Sequence, residues 1–464
     1  MKYILIIFFV FLFSFNVISC GSTDSGSSST STDSDGTTTD SDGTTTDSCL
    51  STSISSRQSA RSSNDYAYGV ATDSSGNVYV AGGTNGGLDG NTNAGNTDLF
   101  LVKYNSSGTK QWTRQFGSSS RDSANGVATD SSGNVYVTGM TNGGLDGCKN
   151  AGIEDLFVVK YNSSGTKQWT NQLGSSSRDS ADDVATDSSG NIYVTGTTYS
   201  ELDGNTSAGK ADLFVVKYNS SGTHQWTKQL GTDRYDEARG VATDSSGNVY
   251  VVGGTKGNLL GISNSGRTDA FVIKFNSKGE KQWTKKLGTW QNDLANGVAT
   301  DSSGNFYVTG FTYQHLDGNT SAGNADLFVV KYNSSGTKKW TKQLGTSKHD
   351  RARGVATDSS GNVYVTGDTY GGLDGNTSAG YNDFFVVKYD SSGTKQWTKQ
   401  LGTSSTDLAN GVATDSSGNV YVAGGTYGGL DGNTNTGNSD LFVVKYNSSG
   451  TRQWTKQMGS SMRY

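Results

Sequence analysis

Residues 184–231 read VATDSSGNIYVTGTTYSELDGNTSAGKADLFVVKYNSSGTHQWTKQLG, and near-copies of this segment fill most of the chain. The copies recur with a period of 57 residues. The period is marked by seven tryptophans, Trp112, Trp169, Trp226, Trp283, Trp340, Trp397 and Trp454. Because a fixed period of this length is the signature of a repeat architecture, we expect one repeated structural unit to build the fold.

Each copy predicts four short β-strands, which in the quoted copy are residues 184–186, 192–197, 213–218 and 224–230. The second strand is rich in β-branched and aromatic residues, and the third is almost continuously apolar, as expected of a strand covered on both faces. The sequences DSSGN and NSSGT separate the first from the second strand and the third from the fourth. Both place Gly where a hairpin turn needs a positive φ. The polar fourth strand fits the outer edge of a sheet.

Seven four-stranded antiparallel units predict an all-β fold, a seven-bladed β-propeller with one blade per 57-residue repeat. An open solenoid is the alternative, but it needs distinct capping repeats, and both ends of this array look like its middle. The motif D-x-A-x-G-V-A-T-D-S-S-G-N-V-Y-V-T-G resembles the repeat of bacterial seven-bladed propellers of the SBBP type and, more distantly, the NHL repeat. The resemblance covers residues 57–464 and implies a closed ring, but no particular activity. Residues 57–64 offer no clear strand to the last blade, so we expect closure by packing of blade faces.

The first 56 residues differ from the repeats. Residues 1–19 have a positive start and an apolar run too short to span a bilayer, which is typical of a secretory signal. The run ends in VISCG at residues 17–21, which resembles a bacterial lipobox and predicts lipidation of Cys20; an ordinary signal peptide is the other interpretation. Residues 20–56 are mainly Ser, Thr, Gly and Asp, which predicts a disordered linker. The propeller then occupies residues 57–464.

Charge and motif content exclude several functional classes. The net charge of −5 is accounted for by Lys2 and six linker aspartates, which leaves residues 57–464 neutral. A nucleic-acid-binding protein needs a basic stripe, so we expect no nucleic-acid partner. The sequence has no GxSxG, HExxH or Walker motif, and its three histidines occupy non-equivalent positions of the repeat. We therefore expect no enzyme; an exported hydrolase or lyase with carboxylates paired across the central channel is the alternative.

The two faces of the predicted ring differ in variability. Both tight turns of a blade lie on one face, and the long loop between the second and third strands lies on the other, with the blade-to-blade connections. The copies differ most on this long-loop face, so it is the predicted binding face. Departures from the repeat are concentrated in copies four to six, at Arg234, Tyr235, Trp290, Phe311, Tyr313, His315, Lys348, His349, Arg351 and Arg353. Aromatic residues and Arg anchor interfaces, so these positions predict a docking site for a protein or a glycan; drift among duplicated loops is the other interpretation.

One polar loop has some of the features of a calcium site. Asp203, Asn205, Ser207 and Asp212 place side-chain oxygens at positions 1, 3, 5 and 10 of the loop. Calcium needs six to eight oxygen ligands, but Gly is missing at position 6 and Glu at position 12, so a polar turn is the other interpretation. Calcium is the one cofactor that we consider, and calcium-assisted multivalent glycan binding is the alternative function.

Two further features concern structure. An Asp recurs ahead of each predicted first strand, at Asp65, Asp122, Asp179, Asp236, Asp293, Asp350 and Asp407, and we expect it to bond the backbone of the blade-to-blade turn. Cys49 and Cys148 remain after lipidation, and export permits a disulfide between them, although Cys49 lies in the linker.

The sequence as a whole predicts a monomeric, non-catalytic binding scaffold held by lipid in the bacterial cell envelope, at the outer membrane or cell surface.

Overall fold

The computed structural model describes residues 63–460. Within this range the chain forms seven four-stranded antiparallel sheets, each with its strands in chain order. Successive sheets pack side by side, and the last packs against the first, which confirms the predicted seven-bladed propeller. The predicted signal segment and linker, with Cys20 and Cys49, lie outside the described residues. Among residues 63–460, no helix reaches the length and apolar character needed to span a bilayer.

The strands of equivalent position have nearly the same length in every blade. The first strands are β1 (Asp65–Thr72), β5 (Asp122–Thr129), β9 (Asp179–Thr186), β13 (Asp236–Thr243), β17 (Asp293–Thr300), β21 (Asp350–Thr357) and β25 (Asp407–Thr414). The second strands are β2 (Val78–Thr84), β6 (Val135–Thr141), β10 (Ile192–Thr198), β14 (Val249–Thr255), β18 (Phe306–Thr312), β22 (Val363–Thr369) and β26 (Val420–Thr426).

The outer half of each blade contains the other two strands. The third strands are β3 (Asp98–Tyr104), β7 (Asp155–Tyr161), β11 (Asp212–Tyr218), β15 (Asp269–Phe275), β19 (Asp326–Tyr332), β23 (Asp383–Tyr389) and β27 (Asp440–Tyr446). The fourth strands are β4 (Lys110–Phe116), β8 (Lys167–Leu173), β12 (His224–Leu230), β16 (Lys281–Leu287), β20 (Lys338–Leu344), β24 (Lys395–Leu401) and β28 (Arg452–Met458). Four of the long loops contain a short 3₁₀ turn, at Leu88–Gly90, Leu259–Gly261, Leu373–Gly375 and Leu430–Gly432.

The first strand is longer than the sequence predicted. In the third blade it begins at Asp179 and not at residue 184, so the recurrent Asp is the first residue of the strand. The reason is a β-bulge: Ala181 pairs with Gly196 and Asp183 with Thr195, which leaves residue 182 between them without a partner. A bulge interrupts the period-2 alternation from which strands are recognised in a sequence.

The hydrophobic core consists of seven clusters, one between each pair of neighbouring blades. The second and third strands supply most of it and are buried on both faces, which was predicted for the third strand alone. The repeated Trp covers the outer end of each cluster: the Trp112 ring lies 6.0 Å from the Tyr79 ring. A Cβ added to Gly165, in a turn of the next blade, would lie only 2.9 Å from Trp112. Each Trp therefore joins two blades.

Each junction between blades is fastened by the recurrent Asp. The Asp122 carboxylate accepts hydrogen bonds from the Ser118 backbone N–H at 2.6 Å and the Ser118 hydroxyl at 2.9 Å, both from the incoming connection. It also accepts one from the Thr141 hydroxyl of the second strand. These bonds confirm the predicted structural role of the Asp and extend it to a second side chain, because Thr141 follows too far along the chain to be recognised as a partner.

Ring closure uses the same contacts as the internal junctions. Ser460, after the last strand, donates its backbone N–H at 2.7 Å and its hydroxyl at 2.8 Å to Asp65 of the first blade. The Lys445 ammonium donates to the Ser106 carbonyl at 2.8 Å, as Lys103 does to Ser163 at 2.9 Å between the first and second blades. Closure therefore combines the expected packing of faces with hydrogen bonds that link the two ends of the ring.

Candidate functional site

The bulged residue of each first strand lines the central channel. These residues are Tyr68, Asn125, Asp182, Arg239, Asn296, Arg353 and Asn410, and they lie 57 positions apart in sequence. They occupy the second variable position of the D-x-A-x motif, inside a strand that is otherwise nearly invariant. Six of the seven are polar or charged and one is Tyr, so the channel is a polar site of low symmetry.

Three of these seven residues are asparagines with a structural role. Asn125 donates its side-chain N–H to the Ala181 carbonyl of the next blade at 2.8 Å. Asn296 and Asn410 make the equivalent bonds across their own junctions at 2.7 Å and 2.9 Å. The four blades with Tyr, Asp or Arg at this position lack this amide bridge, so their side chains are the candidates for recognition.

Two adjacent carboxylates stand in the channel wall at the third blade. Asp183 takes the place of a glycine found in the other six copies. Its two oxygens accept the backbone N–H groups of Val184 at 2.8 Å and of Val241 at 2.9 Å. Burial raises the pKa of Asp182 to about 7 and that of Asp183 to about 6. Arg239 on the neighbouring blade lowers the pKa of Asp182, but by less than burial raises it. The pair can therefore take up a proton near neutral pH.

We expect Asp182→Asn to be more stabilising at pH 8 than at pH 5. A carboxyl whose pKa is raised on folding binds its proton more tightly in the folded chain, so it favours folding at low pH and opposes folding as the pH rises through about 7. Asn is neutral at both pH values and is the residue of three other blades. The urea midpoints of both proteins at the two pH values measure the effect. The exposed Asp233→Asn is the control, and an equal shift at both pH values would contradict the assignment.

The channel opens on the long-loop face into a cavity of about 480 Å³. Phe311, Arg351 and Arg353 line this mouth, so three of the residues singled out in the sequence meet there. The Arg351 guanidinium lies over the Phe311 ring, 5.5 Å from its centre. Arg353 donates from Nε to the Asp368 carboxylate at 2.7 Å. The mouth thus combines aromatic and cationic side chains on rigid strands.

An aromatic cluster continues from the mouth along the junction of the fifth and sixth blades. The Tyr313 ring lies 5.9 Å from Phe311 and 6.0 Å from His349, in both cases edge to face. His349 in turn lies 5.8 Å from Tyr370. The structure thus brings together Phe311, Tyr313, His349 and Arg351, as the docking-site hypothesis requires, and adds Tyr370. Tyr370 occupies the same position of the repeat as Tyr313, and four of the seven copies have Tyr there, so Tyr313 is no departure from the repeat and nothing distinguished Tyr370 in the sequence.

The other predicted docking residues lie apart from this cluster. Trp290 is 65% exposed, and among residues 63–460 its ring packs on no other aromatic ring. Arg234 and Tyr235 lie at the junction of the third and fourth blades. There the ammonium groups of Lys210 and Lys256 lie 5.5 Å and 4.8 Å from the Tyr235 ring.

The last two of the singled-out residues are also separate. Lys348 is exposed in the connection that leads to the sixth blade. His315 accepts the Ser321 backbone N–H at 2.8 Å within its own loop. The singled-out residues therefore form more than one group on the long-loop face.

The loop considered for calcium is held by its own hydrogen bonds. Asp203 has a positive φ of 53° and its carboxylate lies 3.2 Å from the His224 ring nitrogen. Asn205 donates to the Leu202 carbonyl at 2.9 Å, and Ser207 donates to the Gly209 carbonyl at 3.3 Å.

The remaining candidate ligand, Asp212, is buried and accepts hydrogen bonds from the Ala208 backbone and the Gln229 side chain, each at 2.8 Å. Across residues 63–460 no three His, Cys, Asp or Glu side chains are grouped to hold a metal. Calcium binding here stays a prediction of the sequence. In another long loop, Cys148 is disulfide-bonded, and its pairing with Cys49 stays an expectation because Cys49 lies outside the described residues.

The family comparison identifies the repeat. The SBBP family, described as a beta-propeller repeat, matches residues 55–89, 111–146, 168–203, 225–261, 339–374 and 396–431. A typical matched segment, 111–146, runs from a fourth strand through the blade-to-blade connection and the next second strand into the long loop. The matched segments therefore span the junction with its Asp, rather than one whole blade.

Curated relatives and solved structures extend the comparison. An uncharacterized WD repeat-containing protein of Acanthamoeba polyphaga mimivirus is 24% identical over 77% of this chain and 35% of that protein. The regulatory protein FlaEY of Caulobacter vibrioides is 27% identical over 71% of this chain and 39% of that protein. The chain thus spans little more than a third of these relatives. Among solved structures, the WD40 propeller domain of Doa1 is 10% identical over 79% of this chain and 91% of that one, with a TM-score of 0.46.

Proposed function

Because the chain is an SBBP-type β-propeller repeat protein, we propose that it is a non-catalytic interaction scaffold that binds its partner through the long-loop face. The observation that carries this proposal is the cluster of Phe311, Tyr313, His349 and Arg351. Aromatic residues and Arg dominate the binding energy of protein interfaces. The tight-turn face, in contrast, repeats the same Ser and Gly residues in almost every blade. A rigid ring that carries an aromatic and cationic cluster on its variable face is suited to recognition.

Photo-crosslinking tests which face binds. A photoreactive phenylalanine in place of the half-buried Tyr313 should form a discrete adduct with a partner in the envelope fraction of the source organism. The same group in place of Ser334, exposed on the tight-turn face, should form none. Phe311→Ala should abolish the adduct, whereas Trp290→Ala, outside the cluster, should leave it unchanged. Equal labelling from both faces, or none from position 313, would contradict the proposal.

We also propose that the scaffold is a lipoprotein of the bacterial cell envelope, anchored at Cys20. The VISCG segment and the polar linker that follows it support this proposal. Two acyl chains on one residue hold a protein at a membrane where a single chain is marginal. Cys20→Ser should therefore move the protein from the membrane fraction to the soluble fraction. Unchanged membrane association of this variant would contradict lipid anchoring.

A further inference from the structure

The mouth of the channel contains three guanidinium groups, and two of them are neutralised by the protein. Arg239 pairs with Glu237 at 2.9 Å, and Arg353 pairs with Asp368 at 2.7 Å. The third, Arg351, has no carboxylate within 4.0 Å among residues 63–460. The mouth therefore offers one positive charge that the described part of the chain does not compensate.

The Arg351 side chain is held in a fixed position. Strand β21 places it directly opposite Asp368 on β22, and its guanidinium lies on the Phe311 ring. Its Nε is buried and has no hydrogen-bond acceptor within the described residues. A buried donor without an acceptor is unfavourable, so this geometry favours the arrival of an acceptor. A planar guanidinium fits a carboxylate best, through two parallel hydrogen bonds.

The surroundings of Arg351 suit a carboxylate with a short carbon chain. The cavity of about 480 Å³ is lined by Phe311 and Leu294 on its apolar side. Arg239 and Arg353 also line this cavity. Asp182 is the one carboxylate among its lining residues. Because burial raises the pKa of Asp182 to about 7, its negative charge is partly suppressed at neutral pH.

We propose that the mouth of the channel is a binding site for a carboxylate-bearing ligand, with Arg351 as its anion partner and Phe311 and Leu294 against its carbon chain. The inference rests on the proposed function, because it assigns the chemistry recognised on the same face. The carboxylate belongs to a small organic acid or to an acidic side chain of a protein partner. The two sources share one chemistry and are separated by the experiment.

Isothermal titration of the full chain with two probes tests the site. The probes are glutarate and the peptide acetyl-Glu-Glu-Glu-amide. Arg351→Gln should weaken binding at least about tenfold, because a hydrogen bond to a charged group is lost. Arg351→Lys keeps the charge but loses the paired N–H donors of the guanidinium. Its affinity for the probes should lie between that of the unmodified chain and that of Arg351→Gln. Arg452→Gln, on the outer strand of the last blade, is the matched control and should bind like the unmodified chain.

The outcomes separate the sources and the two proposals. Comparable binding of both probes indicates a small organic acid, and binding of the peptide alone indicates an acidic segment of a partner. Failure of both probes, or binding that is the same after Arg351→Gln, would overturn the carboxylate site. A crosslink from position 313 without probe binding would leave the scaffold standing and refute this site. Probe binding without any crosslink from position 313 would support the carboxylate site and contradict the scaffold proposal.

Discussion

Asp65→Ala is expected to lower the free energy of unfolding by about 3–5 kcal/mol, because it removes the acceptor that closes the ring. The Asp65 carboxylate accepts from the Ser460 backbone N–H at 2.7 Å, the Ser460 hydroxyl at 2.8 Å and the Thr84 hydroxyl. All three residues are buried, so Ala leaves these donors without an acceptor and without water. Leaving a buried donor unsatisfied costs about 1–3 kcal/mol.

Denaturation in urea measures this effect, with Asp179→Ala and Asp233→Ala for comparison. Asp179 makes the equivalent bonds to Ser175 and Thr198 at an internal junction, where the chain itself keeps the two blades together. We expect Asp179→Ala to be the milder of the two junction variants. Asp233 is exposed, and its side chain makes no hydrogen bond within the described residues. Asp233→Ala should therefore lower the free energy of unfolding by less than about 0.5 kcal/mol. Equal stability of Asp65→Ala and Asp233→Ala would show that the ring closes by packing alone.

Gly310→Ala is expected to destabilise the fold by about 3 kcal/mol, at the upper end of the cost of overpacking. An added Cβ would lie 1.8 Å from the Leu294 carbonyl oxygen and 3.0 Å from the Ala295 Cα. These are backbone atoms, which a rotamer change cannot move away. The bulge at residue 296 brings this carbonyl beneath Gly310, and each of the seven blades has Gly at the equivalent position.

Gly318→Ala provides the matched control in the same blade. Gly318 has a positive φ of 78° and nothing within 4 Å of an added Cβ, so only the backbone preference is lost. That loss is about 1 kcal/mol. Thermal unfolding of both variants separates steric from conformational effects. If Gly310→Ala were no less stable than Gly318→Ala, the close approach of Leu294 to Gly310 would be wrong.

Much of the fold could be predicted because its signals are short in sequence. Local sequence specifies the conformation of the turn at residues 187–191 and of the apolar strand at 213–218. The same local patterns occur in all seven copies of the repeat. The first strand was predicted too short, because the bulge at Asp182 breaks the alternation on which the prediction depended. The same bulge turns the side chain of that residue into the channel. The wrong start of the predicted first strand and the missed channel site therefore have one cause.

The candidate site was predicted in part. Phe311, Tyr313, His349 and Arg351 were all predicted as docking residues, and the structure brings them into contact, although Tyr313 is shared by four copies of the repeat. Asp182 was missed although a signal existed: the variable positions of D-x-A-x lie inside an otherwise nearly invariant strand.

The sequence alone determined the blade, the number of blades and the face on which the copies diverge, because each of these depends on local pattern and on counting. The tertiary structure was needed to show which departures meet. Arg239, Arg351 and Arg353 share one mouth, whereas Trp290, between them in sequence, stands apart. The channel residues lie 57 positions apart and converge only when the ring closes, and their burial and pKa values follow from that convergence.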